Sequence, residues 1–469
     1  MHVIKPVDIG KLNDAVIEDN VTAHSGNIDP LADIIITEKY KLISQLIDSG
    51  NKVTFVTGKA GTGKSTFIKY LKHTIKKHVV VVAPTGIAAL NVKGSTIHSF
   101  FRLPPKIIEE SDIKAVYDRK LYRKLDLLII DEISMVRADL LDAIDLFLKK
   151  NRESKKLFGG VQILLIGDLF QLPPIVHYSE RKLLQQKGYK SEFFFSAFSL
   201  QNTEMIPIEL KHVFRQEELT FVKTLDNIRQ AKNLDFALEK INSKYISIYS
   251  PNKEVTLTCT NDIADSKNNN ELERLSTAKK IFNGKIEGKF NLKENKLPSP
   301  MKLTLKIGAQ VMFTKNDRQK RWVNGSLGVV ENFTQEGIAI RLYEATRDPI
   351  VIVKKETWKN YGYEYNPINE KIISKVIGKY TQYPLMLAWA VTIHKSQGKT
   401  LPKVFIDLGY GAFAPGQVYV ALSRVKSLND IHLARPIKNQ EIHSDRVVNK
   451  FYRYIFNIPD DEKDDQGDL

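Results

Sequence analysis

"KVTFVTGKAGTGKST", residues 52–66, decides the fold, because it joins an apolar run to a glycine-rich loop and then to a helical segment. The loop matches the pattern G-x-x-x-x-G-K-[ST], in which backbone N–H groups turn inward around phosphate oxygens at a helix N-terminus. We predict that Lys64 reaches the β- and γ-phosphates of a nucleotide and that the Ser65 hydroxyl ligates Mg²⁺. The loop residues predicted to bind the nucleotide are Gly58, Ala60, Gly61, Thr62, Gly63, Lys64, Ser65 and Thr66.

Short apolar runs rich in β-branched residues continue beyond the loop, at 78–86, 125–132 and 161–168, with helical segments between them. Runs without polar alternation are typical of strands buried on both faces of a parallel sheet. Their alternation with helices predicts an α/β fold, with a doubly wound first domain at residues 31–200. A second set of such runs predicts another α/β domain at 201–300 and 378–457.

The intervening segment has a different pattern. Residues 301–377 show alternating apolar positions broken by Asn-Gly and other glycines, which are hairpin signals. We therefore predict a small antiparallel β-barrel inserted into the second α/β domain. Residues 1–30 have no periodicity and are interpreted as a flexible lead-in, and residues 458–469 form an acidic tail.

Two apolar runs end in polar residues that suit nucleotide hydrolysis. Asp131 and Glu132 close the run at 125–132, and the carboxyl ends of strands are where ligands bind in α/β sheets. We predict that Asp131 holds Mg²⁺ through water and that Glu132 accepts a proton from the attacking water. In "ILLIGDLFQLPP" (163–174), Gln171 follows the neighbouring strand and is predicted to orient that water and to sense the γ-phosphate.

The negative charge that develops on the transferred phosphate needs cations in addition to Lys64. Arg215 and Arg424 lie in the second half of the chain, and both would reach the γ-phosphate as arginine fingers if the two α/β domains face each other across the nucleotide.

Composition and net charge indicate the kind of partner and the cellular compartment of the protein. The formal charge of +16 and the pI near 9.4 favour a polyanionic partner. A single cysteine, Cys259, indicates a reducing compartment, and neither a secretory signal nor an apolar window of about 18 residues is present. We expect a cytoplasmic, nucleoid-associated location in a bacterium, or a nuclear or organellar one in a eukaryote.

Seven motifs occur in a fixed order and carry a family resemblance. They are "GKAGTGKST" (58–66), "APTGIAALNVKGSTIHSFF" (83–101), "LLIIDEISMV" (127–136), "LIGDLFQLPPI" (165–175), "LKHVFRQ" (210–216), "VTIHKSQGKT" (391–400) and "YVALSR" (419–424). The set resembles superfamily 1 helicases, and most closely the PIF-type (petite integration frequency) branch of 5′→3′ DNA helicases, which is related to RecD. The resemblance covers about residues 52–430.

This resemblance implies two tandem RecA-like domains with ATP and Mg²⁺ between them, a wedge insertion at about 102–122, and the inserted barrel. It also implies a monomer that moves on single-stranded DNA and acts at single-strand/duplex junctions, in repair, replication or telomere maintenance. By motif, Lys64, Ser65, Asp131, Glu132, Gln171, Arg215 and Arg424 match the hydrolytic positions and Gly398 the nucleotide-binding ones. Pro84, Thr85, Thr96, His98, Phe101, His394 and Lys395 match motifs that contact the DNA strand.

The residues around the DNA motifs support part of this assignment directly. The "APTGIAAL" stretch places a turn and a helix N-terminus at the carboxyl end of a strand, which suits a backbone phosphate. His98, Phe100 and Phe101 offer rings that would stack on bases, although ordinary core packing is the alternative for the two phenylalanines.

One departure concerns the base of the nucleotide. Such helicases usually carry an adenine-reading glutamine shortly before the phosphate loop, whereas here Lys41 stands near that place and Gln45 is the only nearby glutamine. Three other functions remain open: the motor subunit of a RecD-like nuclease complex, a translocase on RNA, and a DNA-stimulated ATPase that remodels bound proteins without unwinding.

Overall fold

The computed structural model describes residues 4–7, 34–247, 253–290, 292, 294–344 and 349–459. Most of the expected lead-in and of the acidic tail lies outside these ranges. Residues 4–7 do not form a loose segment, contrary to expectation, because strand β1 (Lys5–Pro6) pairs in parallel with Glu204 and Met205 of the first domain.

A seven-stranded parallel sheet forms the first domain. Its strands are β1, β2 (Val53–Gly58), β3 (Val79–Ala83), β4 (Ser95–Thr96), β5 (Leu127–Ile130), β6 (Gln162–Ile166) and β7 (Glu204–Leu210), in the order β1-β7-β2-β6-β5-β3-β4. All six residues of β2 are buried, as the apolar run predicts. The helices are α1 (Glu38–Asp48), α2 (Lys64–Thr74), α3 (Gly86–Asn91), α4 (Ile97–Phe100), α5 (Lys120–Lys124), α6 (Ala138–Arg152) and α7 (Tyr178–Gln186).

The first domain extends further than predicted. Strand β7 pairs with β2 from Thr54 to Gly58, so the sheet continues to Leu210 and the predicted boundary at residue 200 is wrong. The strand "EMIPIEL" escaped prediction because Pro207 and two glutamates interrupt the apolar pattern that marked the other strands.

The expected wedge is a segment without long helices that packs against α6. Within 102–122 there is a short 3₁₀ helix, Glu110–Asp112, before α5 begins. The side chains of Asp139 and Asn151 on α6 accept the backbone N–H groups of Ile108 at 2.9 Å and of Val116 at 2.7 Å. These bonds fix the segment, and Tyr117 next to them projects fully into solvent.

A four-stranded parallel sheet, in the order β19-β8-β20-β21, forms the second α/β domain. Its strands are β8 (Val255–Thr258) and, after the insertion, β19 (Ala390–Thr392), β20 (Val404–Ile406) and β21 (Ile431–Leu433). Its helices are α8 (Leu219–Gln230), α9 (Leu234–Asn242), α10 (Asn261–Arg274), α11 (Ile393–Ser396) and α12 (Gln417–Leu422).

The insertion is antiparallel, as predicted, but wider than 301–377. It contains β9 (Lys280–Asn283), β10 (Lys285–Gly288), β11 (Lys302–Leu305), β12 (Gln310–Phe313), β13 (Leu327–Phe333), β14 (Ile338–Leu342), β15 (Ile350–Val353), β16 (Glu356–Asn366), β17 (Lys371–Gln382) and β18 (Leu385–Leu387). These strands make sheets of five, three and two strands. The early strands β9 and β10 were missed because they pair with β11 and β17, which lie far along the chain.

The long hairpin β16–β17 reaches from the insertion to the first domain. The Tyr363 hydroxyl accepts the Val81 N–H at 3.2 Å and donates to the Val81 carbonyl at 3.3 Å. His78 Nε2 lies 2.7 Å from the carbonyl oxygen of Glu370, between the two strands of the hairpin. The insertion, which is continuous with the second domain, therefore also contacts the first.

The last helix, α13 (Arg446–Ile455), returns to the first domain, so its predicted membership of the second domain is wrong. The Phe451 ring stacks on Phe195 with 4.1 Å between centroids, and the Tyr452 hydroxyl donates to Glu209 at 2.8 Å. Its apolar face carries Val448, Phe451, Tyr452 and Ile455 into the core of the first domain. Among the described residues, no helix combines the length and apolarity needed to cross a bilayer.

Candidate nucleotide and nucleic-acid sites

The phosphate loop lies between β2 and α2, as predicted. Gly61 and Gly63 have φ of +84° and +82°, values that glycine adopts without steric cost. Lys64 Nζ donates to the carbonyl oxygens of Gly58 and Lys59 at 2.7 and 2.9 Å, which curls the loop around the amine. Burial lowers the pKa of Lys64, and the carboxylates nearby oppose the shift. The loop is thus shaped for phosphate, with a cation at its centre.

Asp131 and Glu132 follow β5 directly, at the carboxyl edge of the sheet. Glu132 has φ of +51° and ψ of +46°, a left-handed conformation that is uncommon outside glycine and is often found at functional sites. Burial raises the pKa of both carboxyl groups, and the charge of Lys64 opposes the rise. Asp131 is buried at this edge and Ser65 follows the loop lysine, so a carboxylate and a hydroxyl are available to a Mg²⁺ ion, which binds through few protein oxygens and the phosphates of its substrate.

Gln171 lies at the same edge of the sheet. Strand β6 is the neighbour of β5, as predicted, and also of β2, which brings the residue that follows it toward Lys64 and Glu132. The Gln171 side chain is buried, and its Nε2 donates to Asp168 Oδ2 at 3.3 Å.

Arg215 lies against the phosphate loop. Leu210 at the end of β7 is paired with Gly58, so the chain that leaves β7 passes directly beside the loop. A β-carbon on Gly61 would lie only 2.6 Å from the Arg215 Cβ, which is too close, and glycine is therefore required there. Arg215 belongs to the connection after the first sheet, and the prediction that placed it within the second domain is wrong.

Arg424, at the end of α12, is the second arginine at the cleft. Its guanidinium is fully buried and donates to the carbonyl oxygen of Val420 at 2.7 Å and to the Ser423 hydroxyl at 2.6 Å. Burial and the neighbouring charge of Arg215 lower the pKa of Arg424 to about 9. Arg215 in turn donates to the Ser423 carbonyl at 3.0 Å, so the two cations are held side by side.

These groups surround a cavity of about 470 Å³ between the two α/β domains, which we call the nucleotide cleft. Its first-domain wall carries the loop residues 60–66 with Glu132 and Gln171. The opposite wall carries Gly398, Thr400, Arg424 and Lys426, with Arg215 beside the loop. The cleft thus brings together the predicted loop, acid, glutamine and arginines.

The far end of the cleft is apolar. Ile35, Tyr40 and Phe214 line it, and the Tyr40 hydroxyl donates to the Gly63 carbonyl at 2.9 Å. Lys41 points away and pairs with Glu38 at 2.6 Å, and Gln45 is exposed on the same helix. No described residue that lines this end carries a side-chain amide.

Three residues of the second domain were not predicted and contact either the hydrolytic groups or Asp168, which accepts the Gln171 amide. Gln397 Nε2 lies 3.4 Å from Glu132 Oε2 and 3.3 Å from Gln171 Oε1. Arg229 forms a fully buried ion pair with Asp168 at 3.1 Å, and the Tyr419 hydroxyl donates to the same carboxylate at 3.2 Å. The motif that contains Gln397 was a usable signal. Arg229 carried none, because it lies on an ordinary amphipathic helix.

A second cavity, of about 720 Å³, lies between the first domain and the insertion, and we call it the DNA-side cavity. Thr96 and His98, both predicted to contact DNA, line one wall. Lys289, Phe290, Leu292 and Asn360 of the insertion line the other. Pro84 and Thr85 precede α3 at its edge, where the Thr85 hydroxyl caps the helix by accepting the Ala88 N–H at 3.3 Å.

Phe101 does not belong to this site. Its ring is buried and meets Phe100 and Phe147 edge-on, with centroids 4.8 and 5.3 Å away. The prediction that it contacts DNA is therefore wrong, and core packing explains the residue. His394 and Lys395 are half-buried on α11 of the second domain, outside the lining of the DNA-side cavity.

Comparison with a family model and with known proteins gives the same family that the sequence motifs resemble. The family model of PIF1-like helicases matches residues 36–238. The "ATP-dependent DNA helicase Pif1" of Bdellovibrio bacteriovorus is 32% identical over 417 residues, which is 86% of this chain and 89% of that protein. The human "ATP-dependent DNA helicase PIF1" is 31% identical over 408 residues, and the chain spans 60% of its length.

Comparison with solved structures gives the same family. The crystal structure of Bacteroides sp Pif1 in complex with ADP-AlF4 is 38% identical, with a TM-score of 0.83, and the match covers 91% of this chain and 98% of that one. The same protein bound to single-stranded DNA gives a TM-score of 0.65 over the same share of both chains. With its motifs, its two α/β domains and these relatives, the chain belongs to the PIF1-like helicase family.

Proposed function

We propose that this protein is an ATP-dependent DNA helicase that translocates 5′→3′ on single-stranded DNA and unwinds duplexes at single-strand/duplex junctions. The observation that carries the proposal is the nucleotide cleft. Lys64, Glu132 and Gln171 lie on its first-domain side, and Arg424 faces them from the second domain. A nucleotide bound there touches both domains, so its hydrolysis changes how they are held together.

Each group in the cleft has a role in phosphoryl transfer. Glu132 takes a proton from water as the oxygen attacks the γ-phosphorus, and the bond to the β-γ bridging oxygen breaks to leave ADP and phosphate. Gln171 orients that water, while Lys64 and the two arginines offset the charge that develops on the phosphate. A Mg²⁺ ion held by Ser65 and Asp131 would supply further neutralisation of the phosphate oxygens.

DNA contact is proposed along two surfaces. Pro84, Thr85, Thr96 and His98 hold the strand on the first domain, and His394 and Lys395 hold it on the second. The formal charge of +16 supports a sequence-independent attraction to the DNA backbone, which weakens as salt rises. Burial lowers the pKa of His98 and of His394, which favours the neutral form of both rings in the protein without DNA, and we infer that they act by contact and hydrogen bonding. We propose that the working unit is a monomer.

A forked-duplex assay tests the helicase activity and its direction. We expect ATP-dependent strand displacement from a fork with a 5′ tail to exceed that from a 3′ tail by at least about tenfold. The Glu132→Gln variant is the control, because it binds nucleotide and DNA and displaces neither strand. A preference for the 3′ tail contradicts the polarity. DNA-stimulated ATP hydrolysis without displacement from either fork supports a remodelling translocase instead.

A further inference from the structure

The turn at residues 393–399 of the second domain is a compact unit. It begins where β19 ends, and the Thr392 hydroxyl caps α11 by accepting the Lys395 N–H at 3.3 Å. The Gln397 N–H donates to the His394 carbonyl at 3.3 Å, and the Ser396 hydroxyl donates to the Ile393 carbonyl at 2.7 Å. Because these bonds close the turn on itself, its residues move together.

Gln397 projects from this turn across the nucleotide cleft. Its Nε2 lies 3.4 Å from Glu132 Oε2 and 3.3 Å from Gln171 Oε1, so one amide group donates to both. Glu132 and Gln171 are the two groups assigned to the attacking water. The Gln171 amide is oriented from its other end by Asp168, which accepts its Nε2 at 3.3 Å. The carbonyl oxygen of Gln171 therefore faces Gln397.

The Arg424 guanidinium is hydrogen-bonded to the backbone of the same turn. Its Nη1 donates to the carbonyl oxygens of Ser396 at 3.3 Å and of Lys399 at 3.4 Å, on either side of Gln397. The arginine assigned to the γ-phosphate and the amide that meets Glu132 are thus fixed to one piece of backbone. A shift of this turn moves both relative to the first domain.

The opposite part of the turn carries the residues assigned to DNA. His394 and Lys395 lie on α11, within the hydrogen-bonded loop that ends at Gln397. A DNA strand that contacts them acts on the same rigid unit that holds Gln397 against Glu132. This arrangement places the two sites at opposite ends of a single short element.

We propose that Gln397 is a positioning residue that aligns Glu132 and Gln171 for hydrolysis and makes that alignment dependent on DNA bound at His394 and Lys395. This inference rests on the proposed function. Gln397 acts through the two first-domain side chains, and DNA acts through the turn. The consequence is that DNA stimulation of ATP turnover passes through the Gln397 amide.

The test compares ATP turnover with and without single-stranded DNA in the wild type and in Gln397→Ala. We expect the DNA-stimulated kcat to fall by at least about tenfold, with KM for ATP and Kd for a single-stranded oligonucleotide within about threefold of the wild type. Gln397→Met keeps the length of the side chain and removes the amide, so it gives the same loss if Ala disturbs folding. Gln186→Ala, an exposed glutamine on α7, is the matched control and keeps wild-type values.

Stimulation within about threefold of wild type in both Gln397 variants overturns the inference. A fall in kcat that disappears at saturating DNA also overturns it, because Gln397 would then serve DNA affinity. A wild-type protein whose ATP turnover does not respond to DNA contradicts the proposed function itself, which separates the two failures.

Discussion

The nucleotide cleft and the DNA-side cavity are built in different ways. In the cleft, polar groups from strand ends, turns and the end of α12 converge, and two of them are buried: Arg424 is 1% exposed and Gln171 is 7% exposed. In the DNA-side cavity, one wall comes from short helices and the other from an insertion that meets the first domain at a few points, such as Tyr363 on Val81. We expect this difference if the cleft hydrolyses nucleotide and the cavity holds a moving DNA strand, because bond making requires fixed geometry and translocation requires walls that separate.

The largest effect is expected from a substitution at Lys64, which tests whether the nucleotide cleft and the DNA-side cavity are independent. Lys64→Ala removes the cation at the centre of the phosphate loop and lowers ATP turnover by at least about 10³-fold. Affinity for single-stranded DNA stays within about threefold, because the DNA-side cavity is a separate structure. Turnover is measured by phosphate release and DNA binding by fluorescence anisotropy. Lys69→Ala, an exposed lysine on α2, is the matched control, and turnover above about a tenth of wild type in Lys64→Ala contradicts the assignment.

A second pair of variants sharpens the boundary of the DNA-side cavity. Phe101→Ala leaves a hole in the aromatic cluster with Phe100 and Phe147 and lowers the free energy of unfolding by about 3–5 kcal/mol. His98 lies on the cavity wall. His98→Ala therefore changes the unfolding free energy by less than about 1 kcal/mol, while it weakens DNA binding severalfold. Urea unfolding and anisotropy measure the two quantities. If Phe101→Ala is as stable as the wild type and binds DNA poorly, its ring contacts DNA after all.

The smallest effect concerns the base end of the nucleotide cleft. Because Ile35, Tyr40 and Phe214 present an apolar surface there, we expect kcat/KM for ATP and GTP to differ by less than about tenfold, or about 1.4 kcal/mol. Steady-state kinetics with each nucleotide measures the ratio. Phe214→Ala lowers both values together, and Gln45→Ala, on the exposed face of α1, changes neither. A ratio above about a hundred requires a base-reading group and contradicts this expectation.

The residues predicted to act on the nucleotide lie together in the structure because the patterns that mark them are local. The phosphate loop and the Asp131–Glu132 pair lie at the ends of apolar runs, Gln171 lies a few residues beyond one, and the parallel sheet then brings the strand ends together. The predicted fold class and antiparallel insertion were confirmed. They too depend on local patterns, since strands, hairpins and loops are each recognised from a few consecutive residues.

Features that depend on distant partners were mispredicted or missed. Strand β7 was assigned to the wrong domain because Pro207 breaks its pattern, although β2 pairs with it along most of its length. Phe101 ends a motif that was predicted to contact DNA, but its packing against Phe147 on the distant helix α6 shows that its ring is buried. Arg229 becomes significant only opposite Asp168, and the sequence distance between them exceeds any local pattern.

The return of α13 has a mechanical consequence. The polypeptide passes between the two α/β domains twice, at 211–218 and at 443–445, before Val448 and Phe451 anchor it in the first core. Once the bonds across the cleft are released, such as that from Tyr419 to Asp168, we expect the two halves to move mainly by a swivel about the line through these two connections. Each group would then travel in proportion to its distance from that line.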